Sequence, residues 1–346
     1  MAYLLQNTLT YTIPLLIVAL AGIYAERSGI INLALEGIMI LGAFIGVLVV
    51  YSFQKAGMFT KDQAMDLMWV ALGIAAVAGA VFSLLLAFAA IHLRADQTIG
   101  GTALNLLAPA LVLFLINIII NQNTLNMFTG DAASWFMLKK DFFGLEAVKV
   151  KDLNLFQQVF MNKIYPTTYI CIGLFIIMSL LLYKTKFGLR LRACGENPQA
   201  AASLGVNVYA MRYAGVAISG ALAGIGGFVY ALTTANCAST GDVAGFGFLA
   251  LGVMIFGNWK PLPTAGAAFL FGLCKCIAAG YTSIDINGDK IFALKDLGEK
   301  LKASGIDAGS LFRMFPFIIT LVVLAFTSKK SRAPKAEGIP YDKGVR

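Results

Sequence analysis

About nine stretches of this chain are apolar enough to cross a bilayer, and no other feature constrains its fold so tightly. A bilayer core needs about 20 consecutive apolar residues per helical span. The stretches are 3–24, 30–53, 66–91, 98–120, 166–183, 208–233, 244–258, 262–282 and 311–327. The seventh is short and glycine-rich, which marks a broken or re-entrant piece. Hydrophobic residues make up 59% of the chain and charged residues 13%, with a mean hydropathy of +0.78. A soluble domain carries more charge and fewer apolar runs. The expected fold is an all-α polytopic membrane protein of about 8–10 transmembrane helices, given the length each span needs. One transmembrane unit, 1–328, is followed by a basic tail, 329–346.

Basic residues set the orientation. Lys184, Lys186, Arg190 and Arg192 lie in one loop, and Lys329, Lys330, Arg332, Lys335, Lys343 and Arg346 lie in the tail. Four spans separate the two, so they share a side, and the positive-inside rule makes that side the cytoplasm. The C-terminus is then cytoplasmic and the N-terminus outside. Met1 to Leu20 lacks a basic region and a small-residue cleavage site, so it reads as a retained first span. The net charge of +9 signals topology and contact with anionic lipid, not nucleic acid.

Two outer loops are long. Residues 121–165 carry Phe128, Trp135, Phe136, Phe142 and Phe143, and 283–310 place Leu294, Leu297 and Leu301 on one helical face. Both suit packing against lipid headgroups, and both could support an external partner. The run Asp285-Ile286-Asn287-Gly288-Asp289 lacks the spacing and terminal Glu of a calcium loop, so it reads as a turn.

Catalytic equipment is missing from the sequence. His92 is the single histidine. Cys171, Cys194, Cys237, Cys274 and Cys276 show no Cys-x-x-Cys spacing and read as small buried hydrophobes. No Gly-x-x-x-x-Gly-Lys-Ser/Thr phosphate loop, nucleophile–base constellation or metal-ligand set is present. The expectation is a protein that is not an enzyme and holds no cofactor or metal of its own.

A short polar helix signal sits within the coupling segment, 187–206. Asn197 can cap a helix and Pro198 suits its first position. Ala200, Ala201 and Ala202 propagate it with a narrow face, and Gly205 can end it in a left-handed conformation. Glu196 can meet a basic groove. The segment is either a docking helix or an ordinary amphipathic connector.

Polar groups inside the spans are candidates for a pathway. A charge at mid-bilayer costs about 2.5–3.5 kcal/mol for Asp on insertion scales, so Glu36 should face a bundle interior or cavity. Asn32 lies four residues earlier, on the same helical face. Gln97, Thr102 and Asn105 begin the fourth span and can line its inner mouth. Each residue is either part of a substrate-contacting or gating surface, or a structural hydrogen bond to a neighbouring helix. Lys275 lies in the eighth span and can snorkel outward. Thr233, Thr234 and Asn236 close the sixth span. Gly215, Ser219 and Ala223, with Gly220 and Gly224, give that span a face for close helix approach.

Four segments together carry a family resemblance. They run from Glu26 to Gly37, from Arg94 to Asn105, from Phe187 through Gly195 to Gly205, and from Gly247 to Trp259. In this order and spacing the chain resembles the membrane permeases of bacterial ABC importers of the branched-chain amino acid, ribose and nucleoside type. The wording is closest to the nucleoside or simple-sugar subgroup, and so is the ending Gly338-Ile339-Pro340-Tyr341-Asp342-Lys343-Gly344-Val345-Arg346. The outer segments 121–165 and 283–310 fall outside the pattern and read as insertions particular to this chain.

The resemblance implies a transmembrane subunit in the bacterial cytoplasmic (inner) membrane. Gly195, Glu196, Asn197, Pro198, Ala201 and Gly205 would then form a coupling helix held in a groove of a separate cytoplasmic ATPase, which binds the ATP and Mg. A second permease chain, identical or related, and an extracytoplasmic substrate-binding protein complete the set. The implied cargo is a nucleoside, with a simple sugar such as a pentose as the alternative. A stand-alone secondary transporter driven by an ion gradient is the reading from outside this class.

Overall fold

The computed structural model describes residues 2–144, 154–280, 332–342 and positions 311, 314, 315, 318, 319, 321 and 322. Its helices are α1 (Ala2–Arg27), α2 (Leu35–Lys55), α3 (Ala64–Ile91), α4 (Gln97–Ile120), α5 (Ala132–Phe136), α6 (Leu155–Phe160), α7 (Pro166–Lys184), α8 (Lys186–Glu196), α9 (Pro198–Ser203), α10 (Val208–Thr233), α11 (Phe246–Phe256) and α12 (Pro261–Gly280). Two short strands, β1 (Leu125–Asn126) and β2 (Ala238–Ser239), pair antiparallel. Among the described residues, seven helices are long and apolar enough to cross a membrane, and α11 is a shorter apolar helix. The chain is an all-α, multi-pass membrane protein. Most of the expected ninth span, 311–327, lies outside the described residues, as do the loop 283–310 with its leucine face and turn, and Lys329, Lys330, Lys343 and Arg346.

Local chemistry starts and stops these helices. The Asp96 carboxylate accepts from the N–H groups of Thr98 and Ile99 at the head of α4. Asn207 does the same for Ala210 at the head of α10. Asn121 ends α4 in the left-handed region, at φ 57°.

Helices α1, α2 and α10 form the buried centre, while α3, α4, α7 and α12 turn much of their surface outward. Helix α10 packs against α1, α2 and α3. The glycine face read from the sequence is what permits this. A Cβ on Gly220 would stand 2.5 Å from the Gly79 carbonyl oxygen, and one on Gly215 would stand 2.5 Å from Ser28 Cβ. Without side chains there, backbones meet directly.

One end of the bundle gathers the end of α1, helices α8 and α9, the α11–α12 turn and residues 332–342. Arg27 donates to the Trp259 carbonyl at 3.2 Å and pairs with Glu196 at 3.3 Å. The Ala336 N–H donates to the Gly195 carbonyl at 2.9 Å. This is the α9 end of the bundle. The opposite end carries β1, β2, α5 and α6.

Two departures from regular spans shape the interior. Residues 28–34 are not helical; Gly29 takes φ +95° and the chain folds back before α2 begins. Asn32 therefore stands ahead of the helix, not on a helical face with Glu36 as the sequence spacing suggests. The second departure is the seventh apolar stretch. Helix α11 has 11 residues, about 16 Å at 1.5 Å per residue, roughly half a bilayer core. The backbone before it is irregular, with Gly241, Ala244 and Gly245 in the left-handed region. The expected broken segment is present.

Candidate functional site

The break before α11 is closed by a carboxylate. Glu36, in the first turn of α2, accepts three backbone N–H groups: Gly245 at 3.0 Å, Gly247 at 2.6 Å and Phe248 at 3.2 Å. Those donors are the unpaired N–H groups at the head of a helix, where the dipole also favours negative charge. Glu36 is buried. A costly charge within the membrane is thus spent on fixing a half-length helix to α2.

The other polar candidates bind the fold-back. Gln97 accepts the Ile31 N–H at 2.7 Å. Asn105 accepts the Gly37 N–H at 2.8 Å and donates to the Leu33 carbonyl at 2.7 Å. Asn32 donates to the Ser219 hydroxyl at 2.9 Å and accepts the Ala34 N–H at 3.2 Å. Asn105 lies eight residues into α4, about 12 Å along its axis. The irregular backbone thus sits well within the bundle, where each exposed N–H needs a partner. Four of the five pathway candidates are brought together by residues 31–37. Thr102 is not among them. It faces out of the bundle and bonds the Thr98 carbonyl of its own helix.

The Lys275 ammonium donates to the exposed Ala244 carbonyl at 3.1 Å and sits 4.9 Å from the centre of the Phe246 ring. The irregular backbone at 240–245 offers a free carbonyl, and the aromatic face attracts the cation. Tyr230 and Tyr11 also flank Phe246, with ring centres 4.7 and 6.4 Å away. Sequence reasoning missed Phe246 and this use of Lys275; the glycines around the break were the available signal.

At its end of the bundle, α9 has the caps that its sequence predicts. Asn197 accepts the Ala200 N–H at 3.0 Å, Pro198 takes the first position and Gly205 has φ +79°. Its faces are now distinct. Pro198 and Ala201 turn inward, and Ala201, only 4% exposed, packs with Cys194, Val208 and Tyr341. Gln199, Ala200, Ser203 and Leu204 turn outward, and Leu204 is 85% exposed. Gly195 lies against the end of α1, where a Cβ would stand 2.9 Å from the Arg27 carbonyl carbon. Glu196 is held by Arg27. Burial pushes the Cys194 thiol above its ordinary pKa, as expected of an inert packed cysteine.

Comparison with known proteins places this architecture. The family model described as branched-chain amino acid transport system / permease component matches residues 4–324. The chain belongs to this permease family. The permease is 36% identical over 347 residues to the guanosine ABC transporter permease protein NupQ of Bacillus subtilis (strain 168), covering 100% of this chain and 98% of that one. It is 37% identical over 340 residues to the nucleoside ABC transporter permease protein NupC of Lactococcus lactis subsp. cremoris (strain MG1363), covering 98% and 96%. No solved structure matches it.

Proposed function

We propose that this permease is one transmembrane subunit of an ATP-driven importer that moves nucleosides into the cell. The observation that carries the reading is the end-to-end likeness to two permeases named for guanosine and for nucleosides. The likeness exceeds a third of positions and extends to the tail, which supports nucleosides over a simple sugar.

In this reading the α9 end of the bundle is cytoplasmic and couples the spans to ATP hydrolysis. The outward face of α9 — Gln199, Ala200, Ser203 and Leu204 — enters a groove on a separate ATPase, which holds ATP and Mg. Gly195, Glu196, Asn197, Pro198, Ala201 and Gly205 shape and seat the helix. A second permease chain and an extracytoplasmic binding protein complete the importer. Glu36, Asn32, Gln97 and Asn105 brace the broken helix and the fold-back beside the pathway, and Thr102 points to where a second chain can pack. A nucleoside is neutral and hydroxylated with an aromatic base, which suits passage lined by amides, hydroxyls and rings.

Competition tests the cargo directly. Uptake of labelled guanosine by the reconstituted importer should fall with unlabelled nucleosides and resist equal concentrations of free ribose or glucose. Displacement by free sugar, with nucleosides inert, would move the permease to the sugar reading.

A further inference from the structure

Within the basic tail, residues 332–342 cross the α9 end of the bundle as a strap. Its contacts follow its order. The Arg332 N–H donates to Asn258 Oδ1 at 3.0 Å, tying the strap to the α11–α12 turn. The Ala336 N–H reaches the Gly195 carbonyl, between α8 and α9, at 2.9 Å. The Gly338 N–H reaches the Gly29 carbonyl at the α1 fold-back at 3.2 Å. The Ile339 carbonyl accepts from Arg212, in the second turn of α10, at 3.0 Å. Asp342 pairs with Arg94, before α4, at 2.9 Å.

One side chain fills the space behind the coupling helix. Tyr341 is 6% exposed and packs with Ala201, Cys194 and Val208, its ring edge-on to Tyr209 at 5.3 Å. Helix α9 is six residues long and could not hold a shape alone. Behind its inward face stand Tyr341 and the small residues that meet it.

We infer that the strap is a positioning element for energy coupling, with Tyr341 as its wedge under α9. This rests on the functional reading above. Force applied to the outward face of α9 passes through Ala201 to Tyr341. The strap then carries it to the α1 fold-back, the head of α10 and the α3–α4 turn together. Without the wedge, α9 can yield locally while the spans stay still. Arg212 adds a reason for the strap to stay seated: it is 1% exposed, and the Ile339 carbonyl is its hydrogen-bond acceptor among the described residues.

The test uses the complete importer in proteoliposomes and reads nucleoside transported per ATP hydrolysed. Tyr341→Ala should keep assembly with the ATPase and keep hydrolysis, while the transport ratio falls at least about five-fold, the factor that corresponds to about 1 kcal/mol of lost coupling. Tyr341→Phe, which keeps the ring, should restore the ratio. Gly338→Val provides a second lesion away from the core. Gly338 has φ +73° and a Cβ there would meet Ile31 Cδ1 at 2.8 Å, so the strap must lift locally and the ratio should fall again. A wild-type ratio in an assembled Tyr341→Ala or Gly338→Val importer overturns the strap's role. So does failure of both variants to assemble, which would make the strap a folding element only. A wild-type importer without ATP-dependent uptake overturns the functional reading itself, and the strap's role with it.

Discussion

Arg27 and Glu196 join the last residue of α1 to the last residue of α8 at 3.3 Å, 169 positions apart in sequence. Glu196 is half-exposed, and an ion pair of that kind contributes about 0–1 kcal/mol. Arg27 does more, because it also donates to the Trp259 carbonyl. Glu196→Gln should therefore lower stability by less than about 1 kcal/mol, and Arg27→Ala by more. Thermal unfolding of the purified permease in detergent measures both. Equal losses would mean that the Trp259 contact is idle.

Glu36 should be expensive to truncate. Glu36→Ala leaves three N–H groups at the head of α11 without acceptors, and one buried unsatisfied donor costs about 1–3 kcal/mol. Glu36→Gln keeps one acceptor oxygen and the side-chain volume, so its loss should be smaller. The same thermal assay ranks them. An Ala variant as stable as the Gln variant would remove Glu36 from its bracing role.

The spans and the α9 caps were legible because they depend on neighbours in sequence. An apolar run of 20 residues and an Asn-Pro pair carry their own structural instruction. The fold-back was not legible in the same way. Asn32 leaves the helix because Gly29 turns the chain and because Ser219, 187 positions away, holds the amide. Lys275 follows a carbonyl that exists only because α11 breaks. The path of the tail was not legible either: Arg332, Ala336, Gly338, Ile339 and Asp342 are held by residues at least 74 positions away. In α9 the alanines were visible as a narrow helix, but which of them faced outward depended on where Tyr341 lay.

Two glycines of α3 separate packing from propensity. A Cβ on Gly79 would stand 2.9 Å from Gly224 Cα and closer still to the Gly220 carbonyl, whereas one on Gly73 meets nothing within 4 Å. Gly79→Ala should overpack the α3–α10 contact and cost about 1–3 kcal/mol. Gly73→Ala should be neutral or stabilising, by up to about 1 kcal/mol from helix propensity. Melting temperatures of the pair decide, and a harmless Gly79→Ala would contradict the direct backbone contact.

The strap should hold more tightly in acid. Burial raises the Glu337 carboxyl above its ordinary value of 4.5, against the smaller lowering effects of Glu26 and Arg27. A carboxyl whose folded pKa is raised favours the protonated folded form. Its contribution is complete below the unfolded value and is lost as pH rises through the raised one. Amide hydrogen exchange at Ala336 and Gly338, corrected for intrinsic rates, should therefore quicken over that rise. Glu337→Gln should flatten the profile. A profile equally steep in that variant would place the titrating group elsewhere.

Leu204 is the outward apolar tip of α9, and Leu204→Asp should weaken ATPase binding at least about ten-fold, near 1.4 kcal/mol. The permease's own melting temperature should hardly change, since the side chain touches little of its own chain. Ala201 offers no such test, because a larger residue there would first disrupt packing against Tyr341.

The most direct measurement is guanosine uptake into proteoliposomes that hold the permease with its partner chain, ATPase and binding protein. The account predicts uptake that requires ATP on the ATPase side and persists when proton and sodium gradients are collapsed. Uptake by the permease alone, driven by an ion gradient and indifferent to ATP, would contradict it.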